Sequence, residues 1–430
     1  MFLLEDIGEL FVGCPMVKDS LFAGIAALMM ASSLHAESDM AASLDVLLDP
    51  PKCWELTPEG FEKHFDAIRP EMFKWITGDR TRAKLSRALY SNVKIELTAF
   101  GGAVPVEEAV VDFTGGRLNM VTLSIFNRGD AGEIDEADFK NRHMAAGKAM
   151  GAKLNAKPTA CPANRQQGLL TEGYSWSSPL GMAMLEINEG ALGVSAREFL
   201  RLRIARPDAE GALAASMKSG RGAAAARLSD LPENVARDDK GNVFIRNLPM
   251  VDQGNKGYCL PASTQRVFEY YGIGADMHQI AQVAESDPGK GTSALSMAKE
   301  LDRIDYRFKT RLVVMAMMSE KELVEVEVKK GEYLVGKPVD ERKFMKSIHD
   351  FINDGIPLLW ALELGRYPEE PDLKPQTMGG HMRIIIGYNE SSQRLIFSDS
   401  WGAGHEFKTI KASDAYAASQ GLFALKPTVR

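Results

Sequence analysis

In the C-terminal half of the chain, the hydrophobic pattern changes from the period of a helix to that of strands. Apolar residues after Cys259 recur on one helical face, and Pro261 suits the first turn of the helix that they predict. Farther along, two apolar runs at 381–388 and 395–398 flank a turn-rich segment at 389–393, which predicts a β-hairpin. The first strand would begin, and the second would end, at the same edge of this hairpin.

The N-terminal half alternates predicted hairpins with helices. Apolar runs at 106–113 and 118–126 flank a Gly-Gly turn and predict one hairpin. A second pair of strands is predicted at 169–176 and 182–187. Strands in hairpins with helices between them are typical of an α+β fold, so we expect a small α+β domain of unassigned role at 50–205.

The domain boundaries follow from changes in composition. Residues 206–240 are rich in Ala, Gly, Arg and Asp, which predicts a linker between the first domain and a second one at 241–430. If this linker is exposed and processed, the first domain would be a propeptide. Within the second domain, the charged stretch 320–330 is predicted to be helical, as is 343–354.

The start of the predicted helix has the composition of a nucleophile site. A glycine-rich loop leads into Cys259, and the unpaired N–H groups and dipole of a helix N-terminus stabilise a thiolate. Gln253 lies earlier in the same loop and carries a side-chain N–H donor that can fold back toward the cysteine. With the backbone N–H of Cys259, this amide would form an oxyanion hole.

The predicted hairpin supplies the complement to the thiol. His381 heads the first strand after two glycines, and Asp399 closes the second. Because these ends are neighbours in an antiparallel pair, the carboxylate would orient the imidazole and stabilise its charged form. Trp401 is expected to shield the His–Asp pair from water, and His405 is interpreted as a surface loop residue.

These pieces resemble a known family. Gln253, Cys259, His381 and Asp399 follow the order and spacing of papain-like cysteine peptidases, and the Gly-Gly before the histidine is similar to the bacteriocin-leader-peptidase-like branch. The resemblance implies a papain-like C-terminal domain, with helices packed on an antiparallel sheet, that hydrolyses peptide or related amide bonds without a cofactor. Leu260 departs from the aromatic residue usual after the nucleophile, and nothing here resembles the transporter domains that accompany true leader peptidases.

Two alternatives stay open at this point. The C-terminal domain would be a non-catalytic binding module if its groove were closed, with the N-terminal domain carrying an adhesion or assembly role. Arg128-Gly129-Asp130 in that domain spells a cell-adhesion tripeptide, although it is more typical of a turn that leaves a strand. A transglutaminase-like acyl transfer would use the same groups and differ only in its acceptor.

Charge and composition narrow the set of partners. The 430-residue chain has a net charge of −7 and no basic run, so nucleic acid is not an expected partner, whereas a peptide or protein substrate is. No apolar stretch reaches the roughly 20 residues of a stable membrane anchor. No Cys/His spacing is typical of a metal site, so neither metal nor cofactor is expected.

The N-terminus predicts export. Residues 1–36 contain a short positive region, an apolar core and small residues that together resemble a signal peptide, with translation starting at Met16. The product would be periplasmic or extracellular. In an oxidising compartment Cys53 and Cys161 would pair as a disulfide, and in a reducing one both would remain thiols.

Overall fold

A computed structural model describes most of the chain after residue 39. The described ranges are 40–68, 72–87, 95–163, 170–193, 196–219, 226–254, 257–284, 294–329, 332–373 and 379–429. The predicted signal peptide at 1–36, with Met16, therefore lies outside the described residues.

Strands and helices alternate along the described chain. The strands are β1 Met40–Ser43, β2 Lys74–Trp75, β3 Arg82–Ser86, β4 Ile95–Ala99, β5 Val104–Val106, β6 Glu108–Thr114, β7 Arg117–Asn127, β8 Thr159–Cys161, β9 Thr171–Ser178, β10 Gly181–Asn188, β11 Phe199–Ala205, β12 Val235–Arg237, β13 Asn242–Ile245, β14 Thr310–Ser319, β15 Glu322–Lys329, β16 Glu332–Pro338, β17 Leu358–Leu364, β18 Glu369–Glu370, β19 Gly379–Asn389, β20 Arg394–Ser398, β21 Lys408–Lys411 and β22 Ser419–Pro427. The α-helices are α1 Pro58–Asp66, α2 Arg128–Ala131, α3 Glu136–Leu154, α4 Ala212–Ser219, α5 Cys259–Tyr270, α6 Met277–Ala284, α7 Ala294–Ile304, α8 Glu341–Asn353 and α9 Ala412–Ala418.

An antiparallel sheet dominates the N-terminal region. Its strand order is β2-β3-β6-β7-β11-β10-β9-β8, and β1, β4 and β5 form a smaller sheet beside it. Gly115 and Gly116 form the turn between β6 and β7 with φ of 62° and 72°, as a two-residue type I′ hairpin requires. Helix α3 buries Phe139, Ala146 and Met150 against this sheet, so its apolar face joins the N-terminal core.

A second antiparallel sheet organises the C-terminal region. Its order is β16-β15-β14-β22-β17-β19-β20-β21-β18, and β13 pairs with β19 outside this path. Helices α5 and α8 both contact β19, which carries the predicted histidine. The core between helices and sheet includes Val267, Phe268, Ile384, Ile385 and Phe397, all fully buried. This mixed helix and sheet architecture agrees with the predicted α+β class.

The predicted hairpins are confirmed, but the helix predicted at 320–330 is wrong. Residues Glu322–Lys329 are strand β15, which pairs with β14 and β16. The alternation of charged and branched residues has a period of two, and this alternation of faces is the signature of a strand.

The segment predicted to be a linker contains regular structure. Helix α4 buries Leu213, Ala214 and Met217 against β10, and a 3-10 helix at Leu228–Asn234 buries Leu231. Residues from Met40 onward form one compact unit, and the separate N-terminal domain remains a prediction.

Cys53 and Cys161, the cysteines of the N-terminal region that fall within the described ranges, are both free thiols. Cys53 is buried, and burial raises its pKa to about 12. Cys161 lies on β8 with its sulfur 3.3 Å from the Ser175 hydroxyl. The structure thus contradicts the disulfide alternative, since neither sulfur is bonded to the other.

Candidate active site

Helix α5 begins at the predicted nucleophile. Cys259 is half-buried at the first residue of the helix, while Leu260 and Ala262 behind it are buried in apolar clusters. Its sulfur forms a hydrogen bond with the His381 imidazole. It also accepts hydrogen bonds from the backbone N–H groups of Leu260 and Met382. The helix N-terminus therefore supplies the Leu260 donor and its dipole to a thiolate, and β19 supplies the second donor at Met382.

His381 connects the thiol to the carboxylate. It lies near the start of β19, 4% exposed, and its Nε2 is 2.7 Å from Asp399 Oδ1. A proton held on Nε2 by this contact leaves Nδ1 to face the sulfur. Asp399 directly follows β20, so the two ends of the hairpin meet at one edge of the sheet as the pattern predicted.

The Asp399 carboxylate is fully buried and has further partners. Arg383 Nε donates to its Oδ2 at 2.7 Å, and the Ser400 backbone N–H donates to its Oδ1 at 3.0 Å. The Asp399 carbonyl accepts from the Arg266 guanidinium at 2.7 Å. These contacts fix the carboxylate in one orientation toward the imidazole.

Behind the carboxylate lies a chain of buried charged side chains that was not predicted from the sequence. Arg383 Nη1 donates to Glu369 Oε2 at 2.6 Å, and Lys408 pairs with the same glutamate. The Arg383 guanidinium also lies 4.5 Å from the centre of the Phe397 ring. Alternate residues of a strand share a face, so the strand period could have identified Arg383 as the neighbour of His381. Glu369 lies on β18, a two-residue strand that is too short to give a recognisable hydrophobic pattern in the sequence.

Gln253 reaches the site from the loop before α5. Its backbone N–H donates to the Ser400 carbonyl at 2.9 Å, and its side-chain oxygen accepts from the Ser400 hydroxyl at 2.7 Å. Because the amide oxygen faces Ser400, the NH₂ end of the side chain points the other way. The loop joining Gln253 to Cys259 includes Asn255 and Lys256, which lie outside the described residues.

Trp401 covers His381, and His405 packs against the Trp401 ring. The Trp401 ring stacks on His381 with centroids 4.6 Å apart and an interplanar angle of 19°. His405 is half-buried edge-on against Trp401 at 5.5 Å, so the expectation of a surface loop histidine is wrong. Its loop folds back because the Asp399 N–H donates to the His405 carbonyl at 2.9 Å.

Opposing effects set the ionisation of the three groups. Burial raises the pKa of the Cys259 thiol. The hydrogen bond and the charge of His381, together with the two backbone N–H donors, lower this pKa by more than burial raises it, so the net shift is downward. Burial likewise opposes the charged imidazole, yet the Asp399 charge raises the pKa of His381 to about 9. His381 and Arg383 hold the pKa of Asp399 well below its usual range. The arrangement therefore favours a thiolate beside an imidazolium.

The Arg128-Gly129-Asp130 tripeptide forms a helical turn directly after β7, with the Arg128 and Asp130 side chains exposed. Arg128 pairs with Glu198 at 2.8 Å, and a Cβ added at Gly129 would meet the Tyr258 hydroxyl at 2.7 Å. Tyr258 directly precedes Cys259 in the chain. Gly129 therefore packs against the residue that precedes the nucleophile, and the interpretation of the tripeptide as a turn leaving a strand is confirmed.

The described ranges hold neither a cluster of metal ligands nor a membrane-spanning helix. Within them, no group of three or more His, Cys, Asp or Glu side chains could hold a metal ion. None of the helices placed there is both long and apolar enough to cross a membrane.

Comparison with known proteins gives a family match for part of the chain. No curated protein matches its sequence. Among solved structures, the peptidase domain of Streptococcus ComA, a bi-functional ABC transporter involved in a quorum sensing pathway, is 13% identical with a TM-score of 0.27, over 42% of this chain and 99% of that one. Xylellain, a cysteine protease from Xylella fastidiosa, is 12% identical with a TM-score of 0.27, over 48% of this chain and 91% of that one. Residues 245–421 match the model of the Peptidase C39 like family, and this match supports a papain-like peptidase in that part of the chain.

Proposed function

We propose that the chain hydrolyses peptide or related amide bonds with Cys259 as the nucleophile. The observation that carries the proposal is the continuous contact from the thiol through His381 to Asp399, at the N-terminus of a helix. A buried thiol without such partners has a raised pKa, as Cys53 illustrates in the same molecule. The family match at 245–421 supports a peptide or protein as substrate.

The proposed reaction has two halves. The Cys259 thiolate attacks the substrate carbonyl carbon, and the carbonyl oxygen takes the displaced electron pair as an oxyanion. The Gln253 side-chain amide and the Cys259 backbone N–H donate to that oxyanion. The C–N bond then breaks as His381 Nδ1 gives its proton to the leaving amine, which leaves an acyl-enzyme.

In the second half, water replaces the amine. His381, now neutral, takes a proton from a water molecule, and the resulting hydroxide attacks the thioester carbonyl. The C–S bond breaks, releasing the carboxylic acid and restoring the thiolate–imidazolium pair. Asp399 stabilises the imidazolium in both halves, and Arg383 and Ser400 hold Asp399 in place.

The finer part of the proposal is the bacteriocin-leader-peptidase-like branch. It rests on an aspartate, rather than an asparagine, at position 399 and on the two glycines that precede His381. The proposal also includes export, which follows from the predicted signal peptide at 1–36. Neither part changes the chemistry at Cys259.

The proposal is tested by profiling a peptide library at neutral pH with mass spectrometry. The wild type should release cleaved products, and Cys259→Ala should release none while retaining its folded circular dichroism spectrum. Added primary amine would yield amide adducts if acyl transfer competes with hydrolysis. Equal product from the wild type and Cys259→Ala would reject the proposal.

A further inference from the structure

The N-terminal sheet meets the loop that carries Gln253. Lys84 on β3 is 2% exposed, and its ammonium donates to the Asp252 backbone carbonyl at 3.3 Å while pairing with Glu108 at 2.9 Å. Burial opposes the charge, but Glu108 and Asp252 outweigh it and raise the pKa of Lys84. A permanently charged donor from the N-terminal region therefore contacts the residue before Gln253.

The peptide unit between Asp252 and Gln253 is held at both ends. Its carbonyl accepts from Lys84, and its N–H donates to the Ser400 carbonyl at 2.9 Å. Because a peptide unit is planar, two such contacts on opposite edges fix its orientation. That orientation sets the direction in which the Gln253 side chain leaves the backbone.

The Asp252 side chain reinforces the same loop. One carboxylate oxygen accepts from the Gly254 N–H at 2.8 Å, and the other accepts from Lys74 at 3.2 Å. Lys74, on β2, also donates to the Trp401 carbonyl at 3.0 Å. The N-terminal sheet thus contacts two segments of the site. One is the loop that carries Gln253, and the other is the segment that carries Trp401, which stacks on His381.

We propose that Lys84 is a positioning residue for the oxyanion hole, so that the N-terminal region is a working part of the catalytic unit rather than a removable propeptide. The inference rests on the proposed function of Cys259 and Gln253. Lys84 does not touch the reacting atoms and acts through the Asp252–Gln253 peptide. Its loss should therefore weaken oxyanion stabilisation and leave thiolate formation intact.

Two reagents separate these effects. A peptide aldehyde accepts the Cys259 thiolate at its carbonyl carbon, forming a C–S bond while the carbonyl oxygen becomes the oxyanion that the hole must bind. Iodoacetamide alkylates the same sulfur with loss of iodide and forms no oxyanion. The affinity for the aldehyde thus measures how well the oxyanion hole binds an oxyanion, and the alkylation rate measures how readily the Cys259 thiolate forms.

The test compares Lys84→Met with the wild type, and adds Lys84→Met/Glu108→Gln so that no unpaired carboxylate remains buried. In both variants we expect the affinity for the aldehyde and kcat to fall about tenfold or more, with a smaller change in KM. The reason is that complete loss of one oxyanion donor lowers kcat by up to roughly a thousandfold. The alkylation rate at Cys259 should stay within about twofold of the wild type. Lys84→Arg, which keeps a charged donor, should recover part of the loss.

Arg201→Met is the matched control. Arg201 on β11 is another buried cation of the N-terminal sheet, and it pairs across the interface with Asp276 rather than with the Gln253 loop. This variant should keep its aldehyde affinity. Unchanged aldehyde affinity in the Lys84 variants, or an equal loss in Arg201→Met, would overturn the inference. Slow alkylation of wild-type Cys259 would instead overturn the proposed function itself.

Discussion

At the scale of single residues, the ionisation of Cys259 and His381 predicts the pH profile. Burial opposes charge on both groups, but His381 lowers the pKa of the thiol and Asp399 raises the pKa of His381 to about 9. The ion pair exists between the two pKa values. It is lost on the acid side as the thiolate gains a proton, and above about pH 9 as the imidazolium loses one.

We expect kcat/KM to fall on both sides of this window, and Asp399→Asn to move the alkaline limb to lower pH. The amide removes the negative charge that raises the pKa of His381 but keeps a similar shape. The measurement is kcat/KM against pH for both proteins. An alkaline limb at the same pH in the variant would contradict the role of the Asp399 charge.

The buried Arg383 provides a second prediction at this scale. It is 1% exposed and pairs with Asp399 and Glu369 together, so Arg383→Met would leave Asp399 with His381 and Glu369 with Lys408, each buried carboxylate having lost its guanidinium partner. Removing one partner of a buried pair costs roughly 3–5 kcal/mol of unfolding free energy. We expect a loss of that size in urea unfolding.

The control for Arg383→Met is Arg366→Met. Arg366 pairs with Glu363 at 3.1 Å, but its side chain is 51% exposed. Exposed pairs contribute about 1 kcal/mol or less, so this variant should unfold near the wild-type midpoint. Equal losses of unfolding free energy in the two variants would contradict a larger contribution of the buried ion pairs of Arg383 to stability.

At the scale of elements, close approach of β13 to β19 depends on one glycine. A Cβ added at Gly387 would lie 2.4 Å from the Val243 carbonyl oxygen, where the two strands pair. We expect Gly387→Ala to lower the unfolding free energy by about 1–3 kcal/mol, since overpacking forces the backbone apart. Gly379→Ala on the same strand has nothing within 4 Å and should change it by less than about 0.5 kcal/mol. Equal urea midpoints for the two variants would contradict this contact.

The sequence predicts the elements that have a strong period or a clear cap. Helix α3 has such a cap, because the Asp135 side chain accepts from the Ala137 and Asp138 N–H groups. The helix predicted at 320–330 is wrong because the many charged residues of β15 obscure its period of two. A strand between two partners can expose charged side chains on one face.

In the candidate site, too, some residues could be predicted from the sequence and others could not. Cys259, His381 and Asp399 could be predicted because a helix start and a hairpin bring them together by local rules. The contacts of Lys84 and Glu369 could not, because they join residues far apart in sequence through sheet packing that no local pattern encodes.

At the scale of the whole molecule, ion pairs join the N-terminal sheet to the nucleophile helix. Arg82 on β3 donates to Glu269 on α5 at 3.2 Å, with side chains 16% and 6% exposed. A double-mutant cycle with Arg82→Met and Glu269→Gln should give a coupling free energy of about 1 kcal/mol or more in urea unfolding. The exposed Lys346–Asp350 pair, 72% and 59% exposed, should give about 0.3–0.5 kcal/mol. Equal coupling in the two cycles would contradict tight joining of the two regions.

The measurement that tests the proposed activity most directly is the alkylation rate of each cysteine by iodoacetamide at neutral pH, mapped by mass spectrometry. Half-buried Cys161 serves as the ordinary thiol, and buried Cys53, with its pKa raised to about 12, as the inert one. We predict that Cys259 reacts much faster than both, and that His381→Ala removes this advantage. A Cys259 rate equal to that of Cys161, and unchanged by His381→Ala, would contradict an activated thiolate.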